Sequence, residues 1–254
     1  KAIGGDKVEV STIIPDGVEP HDFELKPENM KQLATAQVFV YNGFGMEPWA
    51  KQAIEAAKND KLVTVVATEG VEAIKNTDPE EIKEHGAEDP HAWLSLKDAK
   101  IEVKNIKDAL VKADPANKDY YEKNYTEYVG KLDAMIKKYE EQFAKAPHKN
   151  FVTGHAAFAY LSRDFGLEQN SVEDVFAEGE PNAAQLAKLI EYVKENNIKT
   201  IFAEEMASPE VSKTLAKEVG AKVETIYTIE SKEDDKTYLQ RMDENLAKIL
   251  ESLK

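Results

Sequence analysis

The chain has 254 residues, a formal net charge of −15 at pH 7 and no cysteine. The absence of cysteine excludes disulfides, thiolate catalysis and every metal site that needs a thiolate. The acidic excess argues against a nucleic-acid partner, because neutralising phosphates requires clustered lysine and arginine. It would raise the local concentration of cations, although solubility alone also explains it. No run of about 18 apolar residues occurs, so no membrane-spanning helix is expected.

The first part of the chain alternates β-rich runs with helical patterns. Strands are predicted at 7–14, 37–42 and 61–68, and the last two have the apolar density of a covered parallel sheet. Helices are predicted between them at 27–36 and 47–59, each with a proline near its start. Strands and helices in alternation imply an α/β layer architecture.

The same alternation returns in the second part of the chain, where three apolar runs predict strands and four amphipathic runs predict helices. In chain order they are strand 149–154, helix 155–166, helix 181–197, strand 199–205, helix 208–220, strand 222–229 and helix 237–253. The helix at 208–220 has clear end signals, with Ser208 as N-cap, Pro209 in the first turn and Gly220 after its end. The chain is therefore predicted to form two α/β lobes.

One long helical segment separates the two parts. It starts after the capping residue Asp114 and runs over 115–146, which at about 1.5 Å per residue gives a rod of roughly 45 Å. It is neither glycine-rich nor serine-rich, so we expect a rigid connection, not a flexible linker. The predicted organisation is an N-terminal lobe at 1–114, a linking helix at 115–146 and a C-terminal lobe at 147–254. Two lobes joined in this way should enclose a cleft.

His21 in GVEPHDF and His91 in EDPHAW each directly follow a proline, which stiffens the loop that carries them. His155 and Glu230 each follow a predicted strand of the second lobe. Ligands of α/β proteins bind beyond the carboxyl ends of the strands, which favours these positions for binding.

A single loop histidine is more often a surface or structural residue than a ligand. With three histidines in such positions, a metal site and a structural role are equally good interpretations. Imidazole with one carboxylate is a donor set suited to Zn²⁺. Mg²⁺ and Ca²⁺ prefer shells of oxygen alone. The two other histidines, His85 and His148, lie in charged segments and are expected to be exposed.

Other motifs are weaker. The chain has no HExxH, GxSxG or phosphate-binding GK[ST] motif. Gly43 and Gly45 follow a predicted strand, but no third glycine completes a dinucleotide fingerprint, so a turn is the simpler interpretation. Glu204 and Glu205 end another strand. Paired carboxylates can serve acid–base catalysis, but bracing the helix that begins at Ser208 is the simpler role.

Together the motifs resemble a known family, the zinc- and manganese-binding solute receptors of ABC transporters known as the cluster A-I group. The resemblance covers essentially the whole chain in order and rests on GDKVEVSTIIPDGVEPHDFELKP, NGFGMEPW, EDPHAWLSL, GHAAFAYLSRDFGL and FAEEMASPEVSKTLAKEVGA. It implies two α/β lobes joined by one rigid helix, with the metal site in the cleft between them. Family members usually carry a further strand and helix first, so the N-terminal lobe is expected to lack these elements.

The resemblance also implies the ligands: His21, His91, His155 and Glu230, holding one Zn²⁺ per chain. Members with histidine at the third position resemble zinc receptors, and members with glutamate there resemble manganese receptors. For the fourth position the alternatives to Glu230 are Asp234, Asp235 or a water. The short acidic loop before His91 has only His85 as a spare imidazole, unlike the histidine-rich loops of many zinc receptors.

The function implied is capture of Zn²⁺ outside the cytoplasmic membrane and delivery to the permease of an ABC transporter. The implied protein is a monomer without catalytic residues, and it is periplasmic or lipid-anchored on the outer face of the membrane. One alternative is a manganese receptor of the same family. The alternative from another class is a zinc hydrolase, which would require an open coordination position and a general base.

Overall fold

The computed structural model of the chain describes residues 1–18, 20–21, 23–76, 82, 86–173, 183–204, 209–232 and 234–254. The chain divides into two compact units, Lys1–Ala134 and Met135–Lys254. Each unit contains a parallel sheet with helices, which confirms the predicted α/β class. Within the described residues, none of the helices combines the length and the apolar character needed to cross a bilayer.

The first unit is built on two parallel strands. Its named elements are α1 (Pro27–Thr35), β1 (Val38–Tyr41), α2 (Ala50–Ala57), β2 (Val63–Val66) and α3 (Leu96–Ala113). Strands β1 and β2 pair in parallel from Val38 opposite Val63 to Tyr41 opposite Val66. Short 3-10 turns lie at Gly5–Lys7, Ala92–Leu94 and Pro115–Asn117.

The core of the first unit lies between β1 and the two helices that flank it in sequence. Leu33 of α1, Phe39 of β1 and Ala53 of α2 are buried together in one apolar cluster. The Asn59 side chain donates to the carbonyl oxygens of Leu33 and Ala36, at 3.0 and 2.8 Å. These bonds satisfy groups that the end of α1 leaves unpaired.

Two features of the first unit differ from the sequence analysis. The strand predicted at 7–14 does not form: a 3-10 turn occupies residues 5–7 and irregular chain follows. Val10 is 56% exposed, and alternating residues make a strand only where a neighbour supplies the hydrogen bonds. Helix α3 was not predicted. It starts at Ser95, whose hydroxyl accepts the Asp98 N–H at 2.9 Å as an N-cap.

Helix α3 also buries a carboxyl group. Glu102 is 9% exposed, and its Oε1 has no hydrogen-bond partner among the described residues. Burial raises the pKa of Glu102 to about 8, and the nearby Asp98 carboxylate adds to the rise. Between about pH 4.5 and 8 the unfolded chain releases this proton while the folded chain keeps it. The contribution of Glu102 to the free energy of unfolding therefore falls as the pH rises through that range.

Replacing Glu102 by glutamine should remove this pH-dependent loss. We expect the metal-free variant to unfold with nearly the wild-type free energy near pH 4 and to be more stable by about 4 kcal/mol at pH 8. Urea unfolding at both pH values measures the difference. The exposed Glu127→Gln change is the control and should follow the wild type. Parallel curves for Glu102→Gln and wild type would contradict a buried, protonated Glu102.

One long helix carries the chain from the first unit into the second. Helix α4 (Lys118–Lys145) has 28 residues, and the boundary between the units falls within it. The helix predicted over 115–146 thus forms, with its first three residues as a 3-10 turn. In its second half Tyr139 and Phe143 are buried against the second unit. The division of the chain at 114 and 146 stays a prediction.

The second unit contains a four-stranded sheet in which all neighbouring strands are parallel. Its named elements are β3 (Asn150–Thr153), α5 (Ala159–Phe165), β4 (Glu168–Ser171), α6 (Ala183–Glu195), β5 (Thr200–Glu204), α7 (Pro209–Val219), β6 (Lys222–Ile226) and α8 (Tyr238–Ser252). The strand order is β4-β3-β5-β6. Every residue of β5 is buried, as expected for an inner strand covered on both faces.

Two local differences from the sequence analysis affect the candidate site. The short strand β4 was missed because its sequence, EQNS, is polar and it lies at the edge of the sheet. Helix α5 starts at Ala159, four residues later than predicted, so residues 154–158 form a loop. The predicted N-cap Ser208 lies outside the described residues. Because β3, β5 and β6 are parallel, the residues that follow them meet at one edge of the sheet.

Candidate metal centre

The His91 side chain is held by the aspartate two residues before it. Asp89 Oδ1 lies 2.8 Å from His91 Nδ1 and also accepts the His91 backbone N–H at 2.9 Å. A carboxylate only accepts, so Nδ1 carries the proton and the lone pair of the neutral ring is on Nε2. His91 is fully buried and Asp89 is 2% exposed. This is the arrangement of a metal-binding histidine backed by a carboxylate.

A second loop of the first unit braces the same segment. The Asn42 side chain, directly after β1, donates to the carbonyl oxygen of Pro90 at 2.8 Å. Glu47 accepts the backbone N–H groups of Asn42 and Gly43, at 2.9 and 3.1 Å. Gly43 has a φ of +92°, which a side chain would strain, and this agrees with the turn predicted here. The NGFGMEPW motif therefore supports the His91 loop.

His21 completes a pair of imidazoles in the first unit. Its Nε2 lies 3.3 Å from His91 Nε2, and the two rings meet edge to face with centroids 5.3 Å apart. Two nitrogens bound to one tetrahedral Zn²⁺ are also about 3.3 Å apart, given Zn–N bonds of about 2.0–2.1 Å. The first unit thus presents two nitrogen donors at the spacing that zinc requires.

His155 lies in the loop after β3 and is 2% exposed. Its carbonyl oxygen accepts from the Thr153 hydroxyl at 2.6 Å and from the Gln169 side chain at 3.0 Å. Gln169, on β4, also accepts the Phe158 N–H at 3.0 Å. The Gln169 side chain therefore fixes both ends of the loop at 154–158, where the first turn of α5 was predicted.

Glu204, at the end of β5, holds the backbone of His155 from the other side. Its Oε1 accepts the His155 N–H at 3.1 Å. A Cβ atom on Gly154 would lie 2.4 Å from Glu204 Oε2, so this contact requires glycine at position 154. Burial raises the pKa of Glu204 to about 8, although the His155 N–H opposes the rise and the Glu230 carboxylate adds to it. At neutral pH Glu204 is therefore mostly protonated and adds little negative charge beside His155.

Glu230 lies in the loop after β6, and its Oε1 is 3.7 Å from His155 Nδ1. The two alternative acids of this loop are directed elsewhere. Asp234 pairs with Arg241 at 2.9 Å, and the side chain of Asp235 is fully exposed. Among the three acids, Glu230 is thus the one beside an imidazole of the second unit.

The other histidines and acids give a mixed outcome. His148 is exposed, as expected, and His85 lies outside the described residues. Asp89 was missed, although a carboxylate two residues before a candidate ligand is the signal to look for. Glu204 supports His155 in the described structure, whereas an acid–base or helix-bracing role was predicted for it. Its neighbour Glu205 lies outside the described residues.

Asp89→Asn should weaken zinc binding without removing a donor. Asparagine keeps the size of the side chain but loses the charge that makes His91 more basic, and supporting residues of this kind are typically worth about 10–100-fold in metal affinity. A competition titration against a zinc-binding dye measures the dissociation constant. The control is Glu88→Gln, next in sequence, whose carboxylate pairs with Lys75 at the surface. An Asp89→Asn protein with wild-type affinity would contradict this role.

Parallel sheets in both units, with candidate imidazole donors braced by the buried acids Asp89 and Glu204, are typical of one class: the metal-binding solute receptors with α/β architecture. The comparisons with known proteins narrow this class. Residues 1–252 match the family described as the periplasmic zinc-uptake complex component A, ZnuA. The chain therefore belongs to the ZnuA family.

Individual relatives agree with this assignment. The high-affinity zinc uptake system protein ZnuA of Bacillus subtilis (strain 168) is 42% identical over 265 residues, which cover 100% of this chain and 83% of that protein. A putative metal-binding protein of Treponema pallidum (strain Nichols) is 41% identical over 255 residues, covering 97% and 81%. A mutant structure of the laminin-binding adhesin Lmb from Streptococcus agalactiae superposes with a TM-score of 0.92 at 32% identity, covering 100% and 94%.

Proposed function

We propose that the protein captures one Zn²⁺ ion per chain through His21, His91, His155 and Glu230 and delivers it to the permease of an ABC transporter. Membership in the ZnuA family supports the transport role. The observation that carries the ligand assignment is the His21–His91 pair, with its nitrogens at the spacing of two ligands on zinc. The second unit supplies the other donors, one imidazole and one carboxylate.

The proposed donor set favours zinc over manganese. Three imidazoles and one carboxylate suit a tetrahedral Zn²⁺ ion, whereas Mn²⁺ favours carboxylate, carbonyl and water ligands. The residue at position 155 determines the preference between Zn²⁺ and Mn²⁺, because glutamate there would give two nitrogen and two oxygen donors.

The protein is proposed to act without catalysis. A catalytic zinc keeps one coordination position open for water, whereas four protein donors on a tetrahedral ion leave none. The same set suits a carrier, since the cargo must be bound firmly and released whole. We further propose a monomer that acts outside the cytoplasmic membrane, either periplasmic or lipid-anchored. The net charge of −15 makes a nucleic-acid partner unfavourable.

The stoichiometry tests the proposal directly. Purified protein, stripped with a chelator and then titrated with Zn²⁺, is expected to bind one ion per chain, as measured by calorimetry and elemental analysis. Glu230→Gln should keep the stoichiometry but lower the affinity, because a neutral amide is a poorer ligand than a carboxylate. Manganese offered alone should bind much more weakly. Two equivalent zinc ions per chain, or unchanged affinity in Glu230→Gln, would contradict the ligand set.

A further inference from the structure

The candidate ligand Glu230 lies in the segment between β6 and α8, which we call the ligand loop (residues 227–236, of which 233 is not described). An exposed ion pair between Lys236 and Glu244 joins the end of the loop to α8. Two buried attachments hold the rest of the loop, one on each side of Glu230. Both attachments come from side chains on one face of that helix, Arg241 and Asn245, which are four residues apart. Both side chains are buried, at 4% and 0% exposure.

Asn245 fixes the start of the loop. Its side-chain oxygen accepts the Tyr227 N–H at 2.9 Å, and its amide donates to the Tyr227 carbonyl oxygen at 2.7 Å. A single side chain therefore satisfies both backbone groups of the first loop residue, just where the pairing of β6 ends at Ile226. Because these groups are buried, losing the partner would leave them unsatisfied.

Arg241 fixes the loop after Glu230. Its guanidinium donates to the carbonyl oxygens of Ser231 and Asp234, both at 3.0 Å, and to Asp234 Oδ1 at 3.0 Å. The planar fork of arginine suits such a set of acceptors, which the single ammonium group of lysine cannot match. Desolvation opposes ionisation of Asp234, but hydrogen bonds from the Lys236 N–H, Arg241 and Tyr227 outweigh it and lower the pKa of Asp234 to about 2. The ion pair with Arg241 thus persists across the physiological range.

The backbone between the two attachments is strained. Ile229, directly before Glu230, has a φ of +60°, in the left-handed region that a β-branched residue rarely adopts. Such a conformation persists only where the surroundings enforce it. Here the surroundings are Asn245 on one side and Arg241 on the other. The strain and the two attachments together specify the direction in which Glu230 leaves the loop.

We infer that Arg241 is a positioning residue for the fourth zinc ligand: through Ser231 and Asp234 it holds Glu230 in the orientation that binds metal, with Asn245 fixing the other end of the loop. This rests on the proposed function, since it takes Glu230 as a ligand. Metal binding then requires little further ordering of the loop, so the attachment contributes to affinity without touching the ion.

A double-mutant cycle tests this inference. Arg241→Met should weaken zinc binding on the order of tenfold in competition titrations. In a Glu230→Ala background the same change should have almost no further effect, because the ligand that Arg241 positions is gone. A purely structural role would lower affinity by the same factor in both backgrounds. That additive result, or wild-type affinity in Arg241→Met, would overturn the inference.

The controls keep the experiment decisive. Asp243→Ala, on another face of α8, removes hydrogen bonds to Tyr139 and Lys138 but to none of the described loop residues, so it should leave zinc affinity unchanged. If Arg241→Met fails to fold, Asp234→Ala replaces it and should cost at least about twofold, again only when Glu230 is present. Its control is Asp235→Ala, in the same loop but fully exposed. Wild-type affinity in Asp234→Ala would then overturn the inference.

The cycle also separates this inference from the proposed function. A Glu230→Ala protein with wild-type affinity would remove Glu230 from the site and overturn both. Weak binding by Glu230→Ala together with wild-type binding by Arg241→Met would overturn the positioning role alone and leave the ligand set intact.

Discussion

Replacing His91 by alanine is expected to weaken zinc binding by roughly 10²–10³-fold. Four-ligand zinc sites contribute about 10–16 kcal/mol in total, so each ligand accounts on average for about 2.5–4 kcal/mol. The binding free energy lost with His91 should be at least this large, because Asp89 makes its ring more basic and both side chains are buried. A competition titration with a chelating dye measures the loss, and circular dichroism checks that the variant folds.

His148→Ala is the matched control for His91→Ala. His148 is exposed and lies outside the proposed site, so its loss should leave the affinity for zinc nearly unchanged. His85→Ala is expected to behave in the same way, since the sequence gives it no stiff loop. Equal losses for all five histidines would contradict the assignment and would indicate weak binding spread over the surface.

Zinc is also expected to raise the melting temperature strongly. A ligand that binds only the folded state stabilises it by RT ln(1 + [L]/Kd), which is about 4 kcal/mol at a thousandfold excess over Kd. For a chain of this size, 1 kcal/mol corresponds to about 2–4 °C, so the shift should be roughly 8–16 °C. Differential scanning calorimetry of the stripped protein with and without Zn²⁺ measures it.

The melt has two internal controls. Ca²⁺ and Mg²⁺ at the same concentration should produce little shift, since both prefer oxygen ligands. The His91→Ala protein should gain less from the same zinc concentration, because its larger Kd reduces the ratio [L]/Kd. An unchanged melting temperature at saturating zinc would contradict a site built from the folded chain.

The fold class could be predicted from the sequence because the strong signals are local. The helices at α1, α2 and α8 and the strands at β1, β3 and β5 follow from apolar periodicity and end signals. The wrong strand predictions also have a physical cause. The run at 7–14 alternates like a strand but has no partner in the described residues, and β4 is a strand although its sequence is polar. In both cases strand formation depended on a neighbour that the local sequence does not specify.

By itself the sequence determined the α/β class, the long helix and four candidate ligands, since periodicity, prolines and the family motifs are written along the chain. Whether these four share one ion stays a prediction. Only the tertiary structure decided which side chains support the candidates: Asp89 behind His91, Glu204 beneath His155, and Arg241 beside the Glu230 loop. Glu204 is distant in sequence from His155, and Arg241 belongs to a different element from Glu230. Buried hydrogen bonds of this kind are set by how strands and helices pack, and no local pattern encodes that packing.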